Sequence, residues 1–204
     1  MGSRRRTSII HQITKRVAQL RSRGSLERRE ERIMLLNEVM QDAVNEQINN
    51  ELFAMYSYLS MSAYCEHKQL RGCALWMRLQ SQEEYGHAMR LYDFLIARQG
   101  RVKLKPIDQP EIDFKSVADT FEKALAQEQK VTQQINALYE MAFNQKAFAA
   151  LVELEWFINE QVEEEKTARD IVYKFHLVKD DPAAILDLDR ELGARPAAAA
   201  TDSA

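Results

Sequence analysis

From residue 34 onward, apolar residues recur every three or four positions, the period of an α-helix with one buried stripe. The first such segment, 35–67, contains neither Gly nor Pro, and its stripe runs Val44, Ile48, Glu51, Met55, Tyr58. Gly72 marks a turn, after which a second segment extends to about Gln99 with the stripe Trp76, Gln80, Glu84, His87, Leu91, Phe94. The run "GRVKLKPIDQPEIDFKS" then breaks the pattern with Gly100, Pro106 and Pro110. A third segment, from about Ser116 to Phe143, shows Phe121, Leu125, Glu128, Thr132, Ile135 on one face. "NQK" reads as a tight turn, and a fourth segment, about Ala147 to Val178, shows Leu154, Phe157, Gln161, Glu164, Ala168, Ile171, Phe175. Asp181 suits an N-cap and Pro182 a first helical position, opening a short fifth helix that ends near Gly193.

The connections constrain the topology. Short links make the first and second segments an antiparallel pair, and the third and fourth another. The connector between the pairs, about fifteen residues, reaches about 50 Å when extended. A helix of about 28 residues is about 42 Å long, so this connector can run the length of the molecule. The pattern predicts an all-α four-helix bundle with one long crossover and a short fifth helix at the C-terminal end.

Composition agrees with a soluble helical protein. The 204 residues are 46% hydrophobic and 29% charged, with only six Gly and four Pro to break helices. No run of about eighteen apolar residues suggests a membrane span. Cys65 and Cys73 form no C-x-x-C pair and read as inert buried thiols in a reducing compartment. The net charge of −3 hides an asymmetry: residues 1–33 carry ten Lys/Arg against three Glu, or +7, which leaves −10 for the rest. The arm is thus a basic extension of residues 1–33, the body spans 34–193, and 194–204 form a frayed tail. A solvated disordered tail, a nucleic-acid or anionic-surface tether and an organelle transit peptide are all open readings of the arm. Glu27, Glu30 and Glu31 weigh against the transit peptide, and Arg6 stands where a myristoylation signal needs Ser or Thr. Met34 is a second candidate start.

The chemistry lies in the stripes. Each long segment places an acid among its inward apolar positions: Glu51, Glu84, Glu128 and Glu164, with His87 one turn beyond Glu84. Each acid falls near the middle of its own helix, and in an up-and-down bundle midpoints meet. Four buried carboxylates at one level repel one another and would protonate, unless cations neutralise them. Carboxylates with one imidazole suit iron, manganese or zinc, and this set can bracket two divalent ions.

The blocks "NEQINNELFAMYSYLSMSAYC", "QEEYGHAMRLYDFL", "ALAQEQKVTQQI" and "WFINEQVEEEKTARDI" occur in this order and resemble the bacterial non-haem ferritins over about residues 34–193. The resemblance implies a ferritin-like bundle with a ferroxidase centre inside one subunit. Glu51, Glu84 and His87 would hold a first iron. Glu84 would bridge to a second iron held by Glu128 and Glu164, with Gln161 on the dioxygen side. Glu83, Glu160 and Glu163 match a third, outer iron site, and Tyr58 and Trp156 match aromatics beside the centre. The fourth segment carries Gln161-x-x-Glu164 where bacterioferritins and ribonucleotide-reductase-like enzymes have a second Glu-x-x-His. Tyr85 stands where the haem-ligating Met of bacterioferritins falls, so no haem is expected. The resemblance further implies a cytoplasmic homo-oligomer, a hollow shell of 24 subunits that oxidises Fe(II) with O2 or H2O2 and stores ferric oxyhydroxide. The rivals are a di-iron oxidase or peroxidase with an organic or peroxide substrate, a DNA-protecting mini-ferritin that uses the basic arm, and an inert helical scaffold. The mini-ferritin places its iron site between subunits, which Glu51, Glu84, His87, Glu128 and Glu164 within one bundle disfavour.

Overall fold

A computed structural model of the protein describes residues 36–195. The basic arm, and the tail from residue 196, lie outside the described residues, as do the expectations attached to them. The order is α1 (Glu38–His67), α2 (Arg71–Ala97), α3 (Val117–Asn144), α4 (Phe148–Val178) and α5 (Pro182–Gly193). Among the described residues there is no strand, and no helix is long and apolar enough to cross a membrane.

Local chemistry sets the helix limits. Asn37 caps α1 by accepting from Met40 N, Ser116 caps α3 by accepting from Asp119 N, and Asp181 caps α5 with Pro182 behind it. The first three helices end alike, with a left-handed residue just past the C-cap: Gln69 (φ 62°), Gln99 (φ 58°) and Lys146 (φ 55°). In each, the next N–H reaches back five residues, Leu70 to Cys65 O, Gly100 to Leu95 O and Ala147 to Ala142 O, satisfying carbonyls the helix leaves unpaired.

The expected turn at Gly72 is therefore corrected: the turn lies at Gln69, and Gly72 is already helical. Its lack of a side chain serves packing instead. A Cβ on Gly72 would fall 1.7 Å from the backbone oxygen of Asp189, so only glycine lets α5 lie this close to the start of α2. Asp189 Oδ1 then accepts from Cys73 N at 2.8 Å and caps the exposed end of α2.

The crossover, residues 98–116, is tied along α1 from end to end. Asn45 exchanges hydrogen bonds with Arg101 O and Lys103 N, Ser60 donates to Glu111 O, and Tyr64 donates to Phe114 O. The chain thus returns to the end where α1 finishes before α3 begins, as one long crossover requires.

The apolar core is split in two. One cluster joins Tyr58, Cys65, Trp76, Phe121 and Phe175 with Leu188 and Leu192 of α5. The other joins Met40, Ile48, Leu91, Ile135, Leu154 and Phe157. In every long helix at least one buried acid lies between these two sets, so a hydrophilic layer crosses the bundle at mid-height. The stripes are rotated slightly from the strict spacing. Ala54, Leu95, Ala124 and Val131 are core residues, whereas Met55, Phe94, Leu125 and Thr132 are only half-buried. A 3.6-residue period drifts around the helix over several turns, and packing selects the nearer neighbour at each level.

Candidate metal centre

The polar layer consists of Glu51 of α1, Gln80, Glu84 and His87 of α2, Glu128 of α3, and Gln161 and Glu164 of α4, all buried. The four long helices have 27 to 31 residues each, so their midpoints coincide and the four acids meet. Carboxylate oxygens of Glu51 and Glu84 and a ring nitrogen of His87 all lie within 4.8 Å of one another. A second group with the same spacing is formed by His87, Glu160 and Glu164. His87 Nδ1 lies 3.3 Å from Glu84 Oε2, and its ring stands edge-on to Trp156 and Phe157.

Supporting hydrogen bonds orient most of these acids. Gln47, also buried, donates to Glu51 Oε1 at 2.9 Å. Tyr58 donates its phenolic proton to Glu128 Oε1 at 2.5 Å, and Gln161 Nε2 lies 3.3 Å from Glu128 Oε2. Gln80 Nε2 donates to Glu164 Oε2 at 2.9 Å. Two buried carboxylate oxygens of this layer, Glu51 Oε2 and Glu84 Oε2, lack a well-aligned hydrogen-bond donor: the two carboxyls face each other, and Glu84 Oε2 has besides only the ion-pair contact with His87 Nδ1. Both belong to the Glu51, Glu84, His87 group, and buried carboxylate oxygens without such donors are what a cation would satisfy.

The electrostatics point the same way. Burial, then the charges of Glu51 and Glu164, hold the Glu84 carboxyl well above the usual carboxylate range. Burial and the charges of Glu84 and Glu164 do the same to Glu128, against the opposing hydrogen bond from Tyr58. Glu51 is raised by burial, opposed by His87 and Gln47. Glu164 is pushed up to about 7 by burial and Glu83, with His87, Gln80 and Arg195 acting against them. Burial and the facing Glu128 keep the Tyr58 phenol protonated. A layer of this kind is poor as an apolar core and poor as a set of bare anions. Divalent cations would discharge it.

The remaining residues expected from the sequence are placed less uniformly. Glu160 is half-buried and joins His87 and Glu164. Glu163 is exposed. Glu83 is half-buried, with both carboxylate oxygens taken by Arg195. Trp156 is half-buried beside His87, and Arg90, which also binds Glu153, lies over its outer face. Sequence reasoning passed over Gln47 and gave no role to Gln80. A polar residue one turn before an inward acid on the same stripe was the available signal for both. For Arg195 the sequence offered none.

Residues 41–178 match the ferritin-like domain family. A bacterial non-heme ferritin of Staphylococcus aureus is 35% identical over 161 residues, covering 79% of this chain and 97% of its own length. The corresponding protein of Staphylococcus haemolyticus is 36% identical over the same span. Among solved structures, an open-pore ferritin of the hyperthermophilic archaeon Archaeoglobus fulgidus superposes with a TM-score of 0.78 at 44% identity, covering 79% of this chain and 98% of that one. The chain belongs to the ferritin family. Its bundle, its single crossover and its short terminal helix are those of an iron-storage ferritin.

Proposed function

We propose that the polar layer is a ferroxidase centre contained within one subunit. Fe(II) is its substrate. Glu51, Glu84 and His87 hold one ion, and Glu84 bridges to a second held by Glu128 and Glu164. Gln161 faces the oxidant, and Tyr58 holds Glu128 in place. Hard oxygen donors favour Fe(III) over Fe(II) and so lower the cost of oxidation. Two Fe(II) ions supply two electrons, which, with two protons that hydrolysis of the ferric product returns, reduce O2 to H2O2, or H2O2 to two waters. The absence of a second Glu-x-x-His lets the ferric product leave and hydrolyse to an oxyhydroxide mineral. The mineral collects inside a homo-oligomeric shell of 24 subunits in the cytoplasm, and Glu160, with Glu83 and Glu163, would form an outer site on the way once Glu83 is released by Arg195. The convergence of the buried Glu51 and Glu84 carboxyls with the His87 ring, without well-aligned donors for their inner oxygens, carries this reading most directly.

The test is aerobic addition of Fe(II) well beyond two ions per chain. Continued oxidation into a soluble, protein-bound mineral is expected. Arrest after two ions per chain would instead indicate a di-iron oxidase with a retained metal pair.

A further inference from the structure

One cation enters the polar layer from outside the four-helix bundle. Arg195 follows the end of α5, yet its side chain turns back onto α2. Its guanidinium donates to Gln80 Oε1, and Nη2 donates to both oxygens of Glu83 at 2.9 Å. The same group lies 5.4 Å from the Trp76 ring centroid. Gln80 is fully buried, and with its other end it donates to Glu164 Oε2. A continuous chain of bonds therefore runs from Arg195 through Gln80 to Glu164.

The orientation of Gln80 follows from this chain. A guanidinium only donates and an ionised carboxylate only accepts. With Arg195 on one side and Glu164 on the other, the amide must turn its oxygen to the first and its NH2 to the second. Without Arg195 the amide loses what fixes its direction. Glu83, next to Glu84, would also lose the partner that neutralises it.

Resting on the ferroxidase reading above, we propose that Arg195 is a positioning residue of the metal centre. It fixes Glu164 through Gln80 and occupies both oxygens of Glu83, so that no metal ion can use Glu83 while α5 is docked. The forked guanidinium matches a carboxylate in two parallel bonds, and a divalent ion on Glu83 must displace it. The docking that delivers Arg195 is itself specific: Gly72 and Gly193 meet backbone to backbone, and Asp189 caps α2. Glu83 thus opens to metal only when the segment after α5 lets go.

The experiment is anaerobic Co(II) titration of the full-length assembled protein, read by d–d absorption and by calorimetry. The proteins compared are the wild type, Arg195→Ala, Arg195→Lys, Arg195→Ala combined with Glu83→Gln, and Glu84→Ala. The wild type is expected to saturate at two Co(II) per chain. Arg195→Ala is expected to take one further ion, which is lost again in the combined variant. Should Arg195→Ala fail to assemble, Arg195→Lys answers instead: it keeps the charge, breaks the fork, and should admit the further ion at least tenfold more weakly than the first two. Unchanged stoichiometry and affinities in both Arg195 variants would overturn the proposal. A wild type that binds no Co(II), or binds it identically after Glu84→Ala, would overturn the ferroxidase reading and this proposal with it.

Discussion

Tyr58 of α1 and Glu128 of α3, seventy positions apart, are joined across the core by a 2.5 Å hydrogen bond from phenol to carboxylate. Tyr58 is fully buried, and its protonated phenol gives Glu128 the donor that no backbone group supplies at mid-bundle. The bond ties the polar layer to the apolar cluster around Trp76, whose ring stands edge-on to Tyr58. Tyr58→Phe should cost the apo protein about 1 to 3 kcal/mol, the range for leaving a buried acceptor without its donor. It should also slow Fe(II) oxidation by freeing Glu128 to rotate. Urea unfolding and stopped-flow oxidation check the two effects separately, and full stability with a full rate would contradict the assignment.

Glu84→Gln separates stability from function. It removes the cost of holding a buried carboxyl protonated against Glu51 and Glu164, while the shape is kept. The apo variant should be about 1 to 2 kcal/mol more stable than the parent near neutral pH, as for other sites that hold destabilising charge for function. Divalent metal should no longer stabilise it. Loss of apo stability in chemical denaturation would indicate a structural role for Glu84 instead.

pH should act on apo and metal-bound protein in opposite directions. Glu164 has a folded pKa of about 7, raised from 4.5. The folded state therefore holds a proton that the unfolded state has released between these values. Apo stability should fall as pH rises from about 4.5 to about 7, by up to about 3 kcal/mol from this group. Glu51, Glu84 and Glu128 are shifted in the same direction. Metal binding must expel these protons, so affinity should rise with pH across the same window. Anaerobic Zn(II) titrations in weak buffer, with proton release recorded, check the sign. Proton uptake on binding would contradict it.

Gly72→Ala tests the docking of α5. The added Cβ meets the Asp189 backbone oxygen, which cannot rotate away like a side-chain tip. Overpacking of this kind costs at least about 1 to 3 kcal/mol. The expected result is detachment of α5 with the four long helices intact, seen as rapid amide exchange confined to residues 182–193. Protection equal to that of the parent would show that the contact relaxes without cost.

The sequence was most legible where one residue's phase on one helix decided its fate. Glu51, Glu84, His87, Gln161 and Glu164 could be assigned inward because long uninterrupted helices carry a clear stripe. Leu125 and Thr132 were placed too deep because the choice between adjacent inward positions depends on the neighbouring helix: Thr132 lies at the α3–α4 seam, donating to Glu165. Gly72 reads as a turn in sequence because glycine's two uses, left-handed backbone and close packing, look the same there. Arg195 was out of reach for a related reason. Its contacts with Gln80 and Glu83 span more than a hundred positions and exist only because α5 packs against that glycine.

The most direct measurement is anomalous scattering at the iron edge from crystals loaded anaerobically with Fe(II). One peak should lie among Glu51, Glu84 and His87, and a second between Glu84 and Glu164 on the side of Glu128. A mid-bundle layer without iron, with the metal found only on exposed acids such as Glu163, would contradict the account.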